Sequence, residues 1–412
     1  MPVLPVGLAH VAAATEGAGH RVLTVDLRSA ENWRPVLRKT IAEFRPDVVG
    51  ISVRNIDDQN MQQPKFLLDP VRQMISHIRA VTDAVIVVGG AGYSIFPLTA
   101  LDYLKADVGI AGEGEAVFPR VLERLSRNLT IADIPGVYLP QSAPNSRVRR
   151  IRNLDRLRTP RPGVHLPHAD QAARQGIWLP IQTRRGCPFS CAYCSTGGIE
   201  GHIIRKFPVE KVIETMGRFS GAGFDHFFFV DNTFNLPPAY AADLCEAIMR
   251  SGLKPVWRCI VYPYGLHKKL VEKMAAAGCV EVSLGFESGS AKILKKLNKK
   301  FGPDDIRRAA RLLARQGIRR MGFLLLGGPG EDRETVLESL RFADALGLEM
   351  MKVTVGIRIY PNTALARRAV EEGVIRSDDD LLFPKFYIVP GLEDWLRHRL
   401  SEWMKDRPNW IF

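Results

Sequence analysis

Short runs of β-branched and other apolar residues alternate with helical patterns along most of this 412-residue chain. Near-continuous apolar runs of this kind are typical of parallel strands that helices cover on both faces. The alternation therefore predicts an α/β fold. The length is enough for two or three domains, because a domain typically has about 100 to 200 residues, and this excludes a single small binding module.

The first part of the chain, residues 1–140, predicts a doubly wound, Rossmann-like domain. The predicted strands are Val22 to Leu27, Val48 to Val53, Ala84 to Gly90 and Val108 to Gly112. Helices are predicted at about Leu8 to Gly17, Val36 to Arg45, Pro70 to Val81 and Glu115 to Arg127. The sequence opens directly at the first helix, so the leading strand of such a fold has no counterpart before Pro5. A ligand crevice is expected at the carboxyl ends of the strands.

A second series of strands and helices occupies residues 176–375 and predicts a partial (β/α)6 barrel with its active site at the C-terminal mouth. Its six strands are predicted at Ile177 to Thr183, His226 to Asp231, Pro255 to Val261, Val280 to Phe286, Arg319 to Leu326 and Met351 to Ile357. Residues 141–175 form a basic linker, with seven Arg against one Asp between Arg147 and Arg161. Residues 376–412 form a Trp-rich extension, in which Trp395 and Trp403 are expected on a helix packed on the barrel.

The net charge of +13 comes from 57 basic and 44 acidic residues that are spread over the whole chain. This distribution favours a solvated basic surface, and no nucleic-acid partner is expected. The run Lys292 to Lys300 is predicted to be the exposed face of a helix. No apolar run is long enough for a membrane span, and the N-terminus lacks the basic region of a secretory signal, so the expected location is the cytoplasm.

Three of the six cysteines fall within eight residues, in RRGCPFSCAYCST after the first barrel strand, whereas Cys245, Cys259 and Cys279 are single and predicted to be buried thiols. Three thiolates on one loop can hold three irons of a 4Fe-4S cluster and leave the fourth iron open to another ligand. Zinc is the competing interpretation, but the nearest further ligand is His202 in a glycine-rich loop. The spacing therefore favours a cluster held by Cys187, Cys191 and Cys194.

At this loop the sequence resembles the radical SAM superfamily, whose signature is CxxxCxxC with an aromatic residue, here Tyr193, before the last cysteine. The resemblance implies that S-adenosylmethionine (SAM) chelates the open iron. The resemblance further implies that an electron from the cluster cleaves SAM to methionine and a 5′-deoxyadenosyl radical. It also implies an electron donor such as flavodoxin or ferredoxin.

Further positions of the barrel resemble SAM-binding segments of the same superfamily. Asp231, in FFVDN, matches the polar position that meets the SAM amino group, with a helix N-cap as the alternative. Glu287, in LGFESGS, matches the acceptor of the ribose hydroxyls, and an acid in an apolar strand needs a buried partner. Gly327 and Gly328, in LLGGPGED, match the adenine position, although such a pair also suits a simple strand-to-helix turn. RIYPNTAL resembles the closing segment, with Asn362 in place of the usual Gly.

A doubly wound domain before such a barrel resembles the cobalamin-dependent radical SAM enzymes. The residues that carry this resemblance lie in LPVGLAHVAAATEGAGHRVLTVDL, RPDVVGISV, VVGGAGYSIFP and AGEGE. It implies that a cobalamin contacts a set of small and polar residues at the strand ends: Ser52, Arg54, Asn55, Gly89, Gly90, Gly112, Glu113 and Gly114. There is no DxHxxG motif, so no histidine is expected to ligate the cobalt from below.

The resemblance implies that the radical takes hydrogen from an unactivated carbon, which then receives a methyl group from methylcobalamin. The substrate would be a small molecule, a lipid or a natural product. The alternatives are a cyclisation, rearrangement or oxidation without methyl transfer, and a cobalamin or redox sensor. The resemblance to tRNA methylthiotransferases is weaker, because that branch carries a second three-cysteine cluster in its N-terminal domain. Here no cysteine precedes Cys187. The sequence identifies neither the catalytic side chains nor the substrate.

Overall fold

The computed structural model of the protein describes residues 4–27, 32–141, 148–166 and 176–412. The chain forms two compact units. The first unit lies within residues 1–58, 65–177 and 198–200, and the second comprises residues 59–64, 178–197 and 201–412. The predicted boundaries at residues 140, 175 and 375 stay predictions.

The sheet of the first unit has four strands in sequence order: β1 (Val48–Ser52), β2 (Val85–Gly89), β3 (Val108–Ile110) and β4 (Val137–Tyr138). The first three are parallel, and β4 pairs with β3 in the antiparallel direction. The helices are α1 (Val6–Gly17), α2 (Trp33–Phe44), α3 (Leu68–Arg79), α4 (Pro97–Leu104) and α5 (Gly114–Ser126). Val87, Ile110, Val121 and Ile134 are among the buried residues that form its core.

One predicted strand of this unit is wrong. Residues 22–27 have no regular secondary structure, and Leu23 is half exposed. A strand requires a partner for its backbone groups. Among the described residues, no strand pairs with this segment.

The basic segment behind this unit is packed against it over the part that the structure describes. Leu154, in a short 3-10 turn, is fully buried. The Ile151 amide donates to the Glu113 carboxylate. The Arg161 guanidinium donates to Glu16 of α1. The segment is therefore anchored by these contacts, contrary to its expected character as a plain linker, and the remainder of it lies outside the described residues.

The second unit contains the predicted barrel sheet. Its strands are β5 (Leu179–Ile181), β8 (His226–Phe229), β9 (Val256–Val261), β10 (Cys279–Glu287), β11 (Arg319–Leu326), β12 (Met350–Val355) and β15 (Trp410–Ile411). Their order in the sheet is β15-β12-β11-β10-β9-β8-β5, and every neighbouring pair is parallel. Two small two-stranded antiparallel sheets are formed by β6 (Arg184–Arg185) with β7 (Arg205–Lys206), and by β13 (Ile357–Arg358) with β14 (Phe386–Tyr387).

Helices follow the strands as the alternation predicts. They are α6 (Thr196–Glu200), α7 (Val209–Gly221), α8 (Pro238–Arg250), α9 (Lys268–Ala276), α10 (Ala291–Lys296), α11 (Pro303–Arg315), α12 (Arg333–Ala345), α13 (Ala364–Glu371) and α14 (Glu393–Met404). None of the helices in the described ranges is both long and apolar enough to cross a membrane.

The two faces of the barrel sheet carry different side chains. Phe286 lies on the helical side, where its ring is 6.1 Å from that of Phe342 on α12. Glu287 is the last residue of β10, and its carboxylate contacts Tyr193 and Lys299 instead of that helix. Because parallel strands end together, Glu287 lies at the mouth of the barrel, beside the loops that follow the strands.

The predicted packing of the C-terminal extension is confirmed. Leu396 and Leu400 of α14 are fully buried, while Trp395 and Trp403 are half-buried. The chain then adds β15 to the barrel sheet beside β12, a strand that the sequence did not predict.

Candidate functional site

The cysteine loop, residues 187–194, lies between β6 and α6 at the mouth of the barrel. Among the described residues, three backbone hydrogen bonds tie the loop to its surroundings, Cys187 N to Gly201 O, Ala192 N to Leu297 O and Leu365 N to Ala192 O, and one lies within it, Cys194 N to Cys191 O. Gly186, just before the loop, has φ +93°, and a Cβ there would lie 2.2 Å from Ile203 O. Only glycine fits this position, so the start of the loop is sterically fixed.

The three thiols of this loop form no disulfide bond, and each is at least partly accessible to solvent. Cys187 and Cys191 are half-buried, and Cys194 is exposed. Burial raises the pKa of the Cys191 thiol, and the neighbouring Lys299 ammonium partly opposes this rise. In the ranges that the structure describes, no three His, Cys, Asp or Glu side chains are grouped as ligands of one metal ion. An iron–sulfur cluster takes one thiolate on each of several separate irons, so the three thiols fit a cluster better than a mononuclear zinc site.

The remaining cysteines are confirmed as buried. Cys245, Cys259 and Cys279 are each at most 5% exposed, and burial raises the pKa of Cys259 well above its ordinary value. Because all three side chains are buried, we expect them to act as apolar core residues.

A buried triad of polar side chains joins the cysteine loop to the end of β10. The Tyr193 hydroxyl donates to Glu287 Oε1 over 3.0 Å. Lys299 Nζ lies 3.0 Å from the same hydroxyl and 3.3 Å from Glu287 Oε1. The Lys299 and Glu287 side chains are only 5% and 15% exposed. Glu287 therefore has the buried partner that its sequence context predicts.

The protonation states of the triad follow from its burial and its charges. Burial alone lowers the pKa of Lys299, but the charge of Glu287 and the proximity of Tyr193 outweigh it, so the pKa of Lys299 stands well above its ordinary value. Burial first, and then the charge of Glu287, raises the pKa of Tyr193. Lys299 is therefore a cation and Tyr193 a neutral donor at neutral pH.

Glu287 also has a strained backbone. Its φ is +67°, in the left-handed region that side chains other than glycine rarely adopt, and the register of β10 shifts between Leu284 and Glu287. Such a conformation costs on the order of 1 to 3 kcal/mol and is common at functional sites. The strain fixes the direction in which the carboxylate leaves the strand.

The segment Leu297–Lys300, which we call the clamp, holds the cysteine loop from the other side. Asn298 Nδ2 donates to Ser190 O over 2.6 Å, and the Lys300 amide donates to the Tyr262 hydroxyl over 2.9 Å. The Tyr262 ring is stacked on that of Phe189, with the centroids 4.0 Å apart. The clamp therefore sets the position of the loop.

The expectation that Lys292 to Lys300 is one exposed helical face is wrong for Lys299. Helix α10 ends at Lys296, and Asn298 has φ +57°, which turns the chain. Sequence reasoning missed Lys299. The need of Glu287 for a buried partner was a signal, but five lysines follow within the next 13 residues and the sequence does not tell which of them is the partner.

Asp231 follows β8 and holds the segment that precedes the cysteine loop. The carboxylate is 1% exposed. Oδ1 accepts from the Thr183 and Arg184 amides over 2.7 and 3.1 Å, and Oδ2 accepts from the Thr183 hydroxyl and lies 3.2 Å from Arg184 Nε. Both oxygens are thus occupied by groups that precede the cysteines. The alternative of a helix N-cap does not fit, because α8 begins at Pro238 without a side-chain cap.

The glycine pair after β11 is organised by an acid that sequence reasoning missed. The amides of Gly327 and Gly328 both donate to Oε2 of Glu331. Oε1 of Glu331 has no partner among the described residues, and the residue is 4% exposed. Burial raises the pKa of Glu331 to about 7 although the two amides oppose it. The glycine amides are therefore engaged within the loop.

The candidate cobalamin residues lie where β1, β2 and β3 end, in the first unit. Ser52, Arg54 and Asn55 are exposed there. A Cβ on Gly90 would lie 2.5 Å from Val53 O, and one on Gly112 would lie 2.3 Å from the Val148 side chain. The absence of a side chain at these two glycines therefore allows close packing within the first unit.

The rest of this predicted set follows the same pattern. A Cβ on Gly89 would lie 3.1 Å from Ile110 O and one on Gly114 would lie 3.0 Å from Val11, while Glu113 accepts from Ile151. Sequence reasoning missed Gly109, where a Cβ would lie 1.7 Å from the buried Tyr93 hydroxyl. The exposed carboxyl edge of the sheet, with Ser52, Arg54 and Asn55, is the part that fits a ligand lying on it.

Together, the fold and the cysteine loop define an iron–sulfur barrel enzyme that carries a separate doubly wound domain. Comparison with known proteins agrees: the Radical SAM superfamily profile matches residues 181–343, and the B12 binding domain profile matches residues 2–122. The chain belongs to the cobalamin-dependent radical SAM enzymes.

Relatives and solved structures support this assignment. The chain is 27% identical to an uncharacterised methyltransferase of Pyrococcus horikoshii, over 90% of this chain and 79% of the other. It is 25% identical to tryptophan 2-C-methyltransferase of Streptomyces laurentii, over 90% of this chain and 73% of the other.

Among solved structures, the methyltransferase TsrM of Kitasatospora setae with tryptophan and a SAM analogue matches with a TM-score of 0.86 and 25% identity, over 98% of this chain and 86% of that one. A second TsrM structure contains cobalamin and a 4Fe-4S cluster, and matches with a TM-score of 0.80 and 26% identity over 90% and 72% of the two chains. The family assignment gives this enzyme three cofactors: the cluster, SAM and cobalamin.

Proposed function

We propose that this enzyme transfers a methyl group to an unactivated carbon of a small molecule. The observation that carries the proposal is the buried triad of Tyr193, Glu287 and Lys299 against the cysteine loop, in a chain that also has a B12 binding domain. When bound, the cofactors supply the radical and the methyl group. The protein binds them, orients them and excludes water.

In this proposal the thiolates of Cys187, Cys191 and Cys194 ligate three irons. Their loop is held in place by the clamp, and Asp231 holds Thr183 and Arg184, which precede the loop. Asp231 was predicted to meet the SAM amino group, but both its oxygens already accept hydrogen bonds. We therefore assign it a positioning role.

Glu287 is the proposed acceptor for the ribose hydroxyls of SAM. Its Oε1 is occupied by Tyr193 and Lys299, whereas Oε2 has no hydrogen-bond partner among the described residues. Tyr193 and Lys299 thus orient the carboxylate and keep one oxygen available. The buried Lys299 ammonium also suits the carboxylate of SAM, since an ion pair is strengthened by burial. Gly327 and Gly328, held by Glu331, form the proposed adenine side of the site.

Cobalamin is proposed to lie on the carboxyl edge of the first unit's sheet. The proposed contacts are the predicted set: Ser52, Arg54, Asn55, Gly89, Gly90, Gly112, Glu113 and Gly114. Residues 1–140 contain three histidines: His10 is buried in α1, His20 lies in the turn after α1, and His77 lies in α3 against Trp33. We propose that no histidine ligates the cobalt.

Two relatives give the proposal its reaction class, because both are named as methyltransferases and one of them acts on carbon 2 of tryptophan. The substrate of this chain is proposed to be a small molecule, in the cytoplasm. A flavodoxin or ferredoxin is the proposed electron donor.

The proposal is tested with SAM that carries a trideuterated methyl group. Anaerobically reconstituted protein is incubated with an extract of a strain that lacks the gene, and metabolites are compared by mass spectrometry with and without protein. A metabolite that gains the labelled methyl group, together with 5′-deoxyadenosine and S-adenosylhomocysteine, is expected. A product with unlabelled carbons would establish cyclisation, rearrangement or oxidation instead, and absence of 5′-deoxyadenosine would indicate a sensor.

A further inference from the structure

Four exposed lysines lie on and directly behind α10, and we call them the lysine face: Lys292, Lys295, Lys296 and Lys300. No acidic residue occurs between Ala291 and Phe301. Lys292 pairs with Asp332, and the Lys300 ammonium donates to Asn298. The ammonium groups of Lys295 and Lys296 form no ion pair or hydrogen bond within the part of the chain that the structure describes. The surface therefore has uncompensated positive charge.

The lysine face is attached directly to the cysteine loop. The clamp leads from α10 to the loop: Leu297 O accepts from the Ala192 amide, and Asn298 Nδ2 donates to Ser190 O. Ser190 is the residue before Cys191. One hydrogen bond, from Asn298 to Ser190, and one peptide bond, from Ser190 to Cys191, thus join the end of the lysine face to a proposed cluster ligand.

A positively charged surface beside a redox centre can bind an acidic electron donor. Each cleavage of SAM consumes one electron from the cluster, so a donor must come close to the loop and leave again. Such encounters are brief and have small interfaces, and complementary charge accelerates them. Exposed lysines without partners provide this acceleration because they attract an acidic protein from a distance.

We propose that the lysine face is the docking surface for an acidic one-electron donor protein that reduces the cluster. One electron leaves the reduced flavin or iron–sulfur centre of the donor and enters the cluster. The donor is oxidised by one electron, and no bond is formed or broken. This inference rests on the proposed function, because it requires the cluster on the cysteine loop.

The test uses the full chain with a reconstituted cluster, and flavodoxin hydroquinone as the probe. In Lys295→Glu/Lys296→Glu the second-order rate of cluster reduction, followed by stopped-flow absorbance, is expected to fall about 10-fold or more at low ionic strength. The difference is expected to shrink at high salt, because screening weakens attraction between exposed charges. Reduction by dithionite, which needs no protein docking, is expected to be unchanged.

Arg311→Glu/Arg315→Glu is the matched control, because it makes the same change in net charge on exposed residues of α11. Its rate with flavodoxin is expected to stay within about twofold of the parent. Lys295→Gln/Lys296→Gln removes the charge without placing acids at a helix C-terminus, and is expected to give an intermediate rate.

The outcomes separate the two proposals. An equal loss in the α11 control, or no loss in the α10 variants, would overturn the docking surface. Failure of the parent protein to assemble a cluster would overturn the proposed function instead. In that case the affinity of oxidised flavodoxin for cluster-free protein still reports on docking, and it is expected to be weakened by the Lys295→Glu/Lys296→Glu change alone.

Discussion

Lys299 Nζ lies 3.3 Å from Oε1 of Glu287, and both side chains are largely buried at the mouth of the barrel. The two residues come from different elements: Glu287 ends β10, and Lys299 belongs to the clamp behind α10. Their contact links the strand that presents the carboxylate to the segment that holds the cysteine loop. The clamp holds the loop through Asn298 and Lys300. A change at Glu287 or Lys299 is therefore expected to affect SAM binding more than cluster assembly.

Replacing Glu287 by Gln is expected to weaken SAM binding about 10- to 100-fold, because charge-assisted hydrogen bonds are worth roughly 1.5 to 3 kcal/mol. Equilibrium dialysis of SAM against the cluster-containing protein measures this. Iron content is expected to be unchanged. Glu281→Gln, on the same face of β10 but six residues before the mouth, is the matched control and is expected to bind SAM normally. Unchanged affinity in Glu287→Gln would assign Glu287 a structural role.

Replacing any one of Cys187, Cys191 and Cys194 by Ala is expected to remove the 4Fe-4S cluster, because we propose that each thiolate holds one iron. Ala at Cys245, Cys259 or Cys279 is expected to leave the cluster in place, since these thiols are buried in the barrel wall. Iron and sulfide analysis after anaerobic reconstitution checks both. If a buried cysteine proved necessary for assembly, the three-ligand assignment would be wrong.

The sequence predicted the cysteine loop and Glu287 because both depend on local patterns: a fixed spacing, and an acid at the end of an apolar strand. It could not identify Lys299 as the partner. The left-handed turn at Asn298 ends the helical periodicity, and only this turn brings Lys299 inward while Lys295 and Lys296 stay exposed. Likewise, the apolar alternation of residues 22–27 predicted a strand, but a strand also needs a neighbour that local pattern does not reveal.

Glu331 is expected to make stability depend on pH. Its pKa is raised from an ordinary 4.5 to about 7 in the folded protein. The folded state therefore binds the proton more tightly, and the free energy of unfolding falls as pH rises between these two values. A shift of this size corresponds to a loss of about 3 kcal/mol. Glu331→Gln is expected to remove this part of the dependence, measured by denaturant unfolding of cluster-free protein at several pH values. An identical pH profile in the variant would contradict the assignment.

Cobalamin bound to the first unit is expected to lack a protein nitrogen ligand, because the sequence has no DxHxxG motif and His10 and His77 lie within helices. The electron paramagnetic resonance spectrum of the cob(II)alamin form, with the nucleotide base labelled with ¹⁵N, distinguishes a protein imidazole from the base. Nitrogen splitting from a protein imidazole would refute the expectation. Loss of all cobalamin after reconstitution would instead refute the cobalamin site.

The central claim is that the cysteine loop and the triad of Tyr193, Glu287 and Lys299 bring SAM to a cluster that cleaves it. The most direct measurement is the amount of 5′-deoxyadenosine formed when dithionite-reduced protein is mixed with SAM. The nucleoside is expected from the parent protein, is expected to be absent from Cys191→Ala, and is expected to recover in Glu287→Gln only at higher SAM concentration. A reduced cluster with SAM bound and no 5′-deoxyadenosine would contradict the claim.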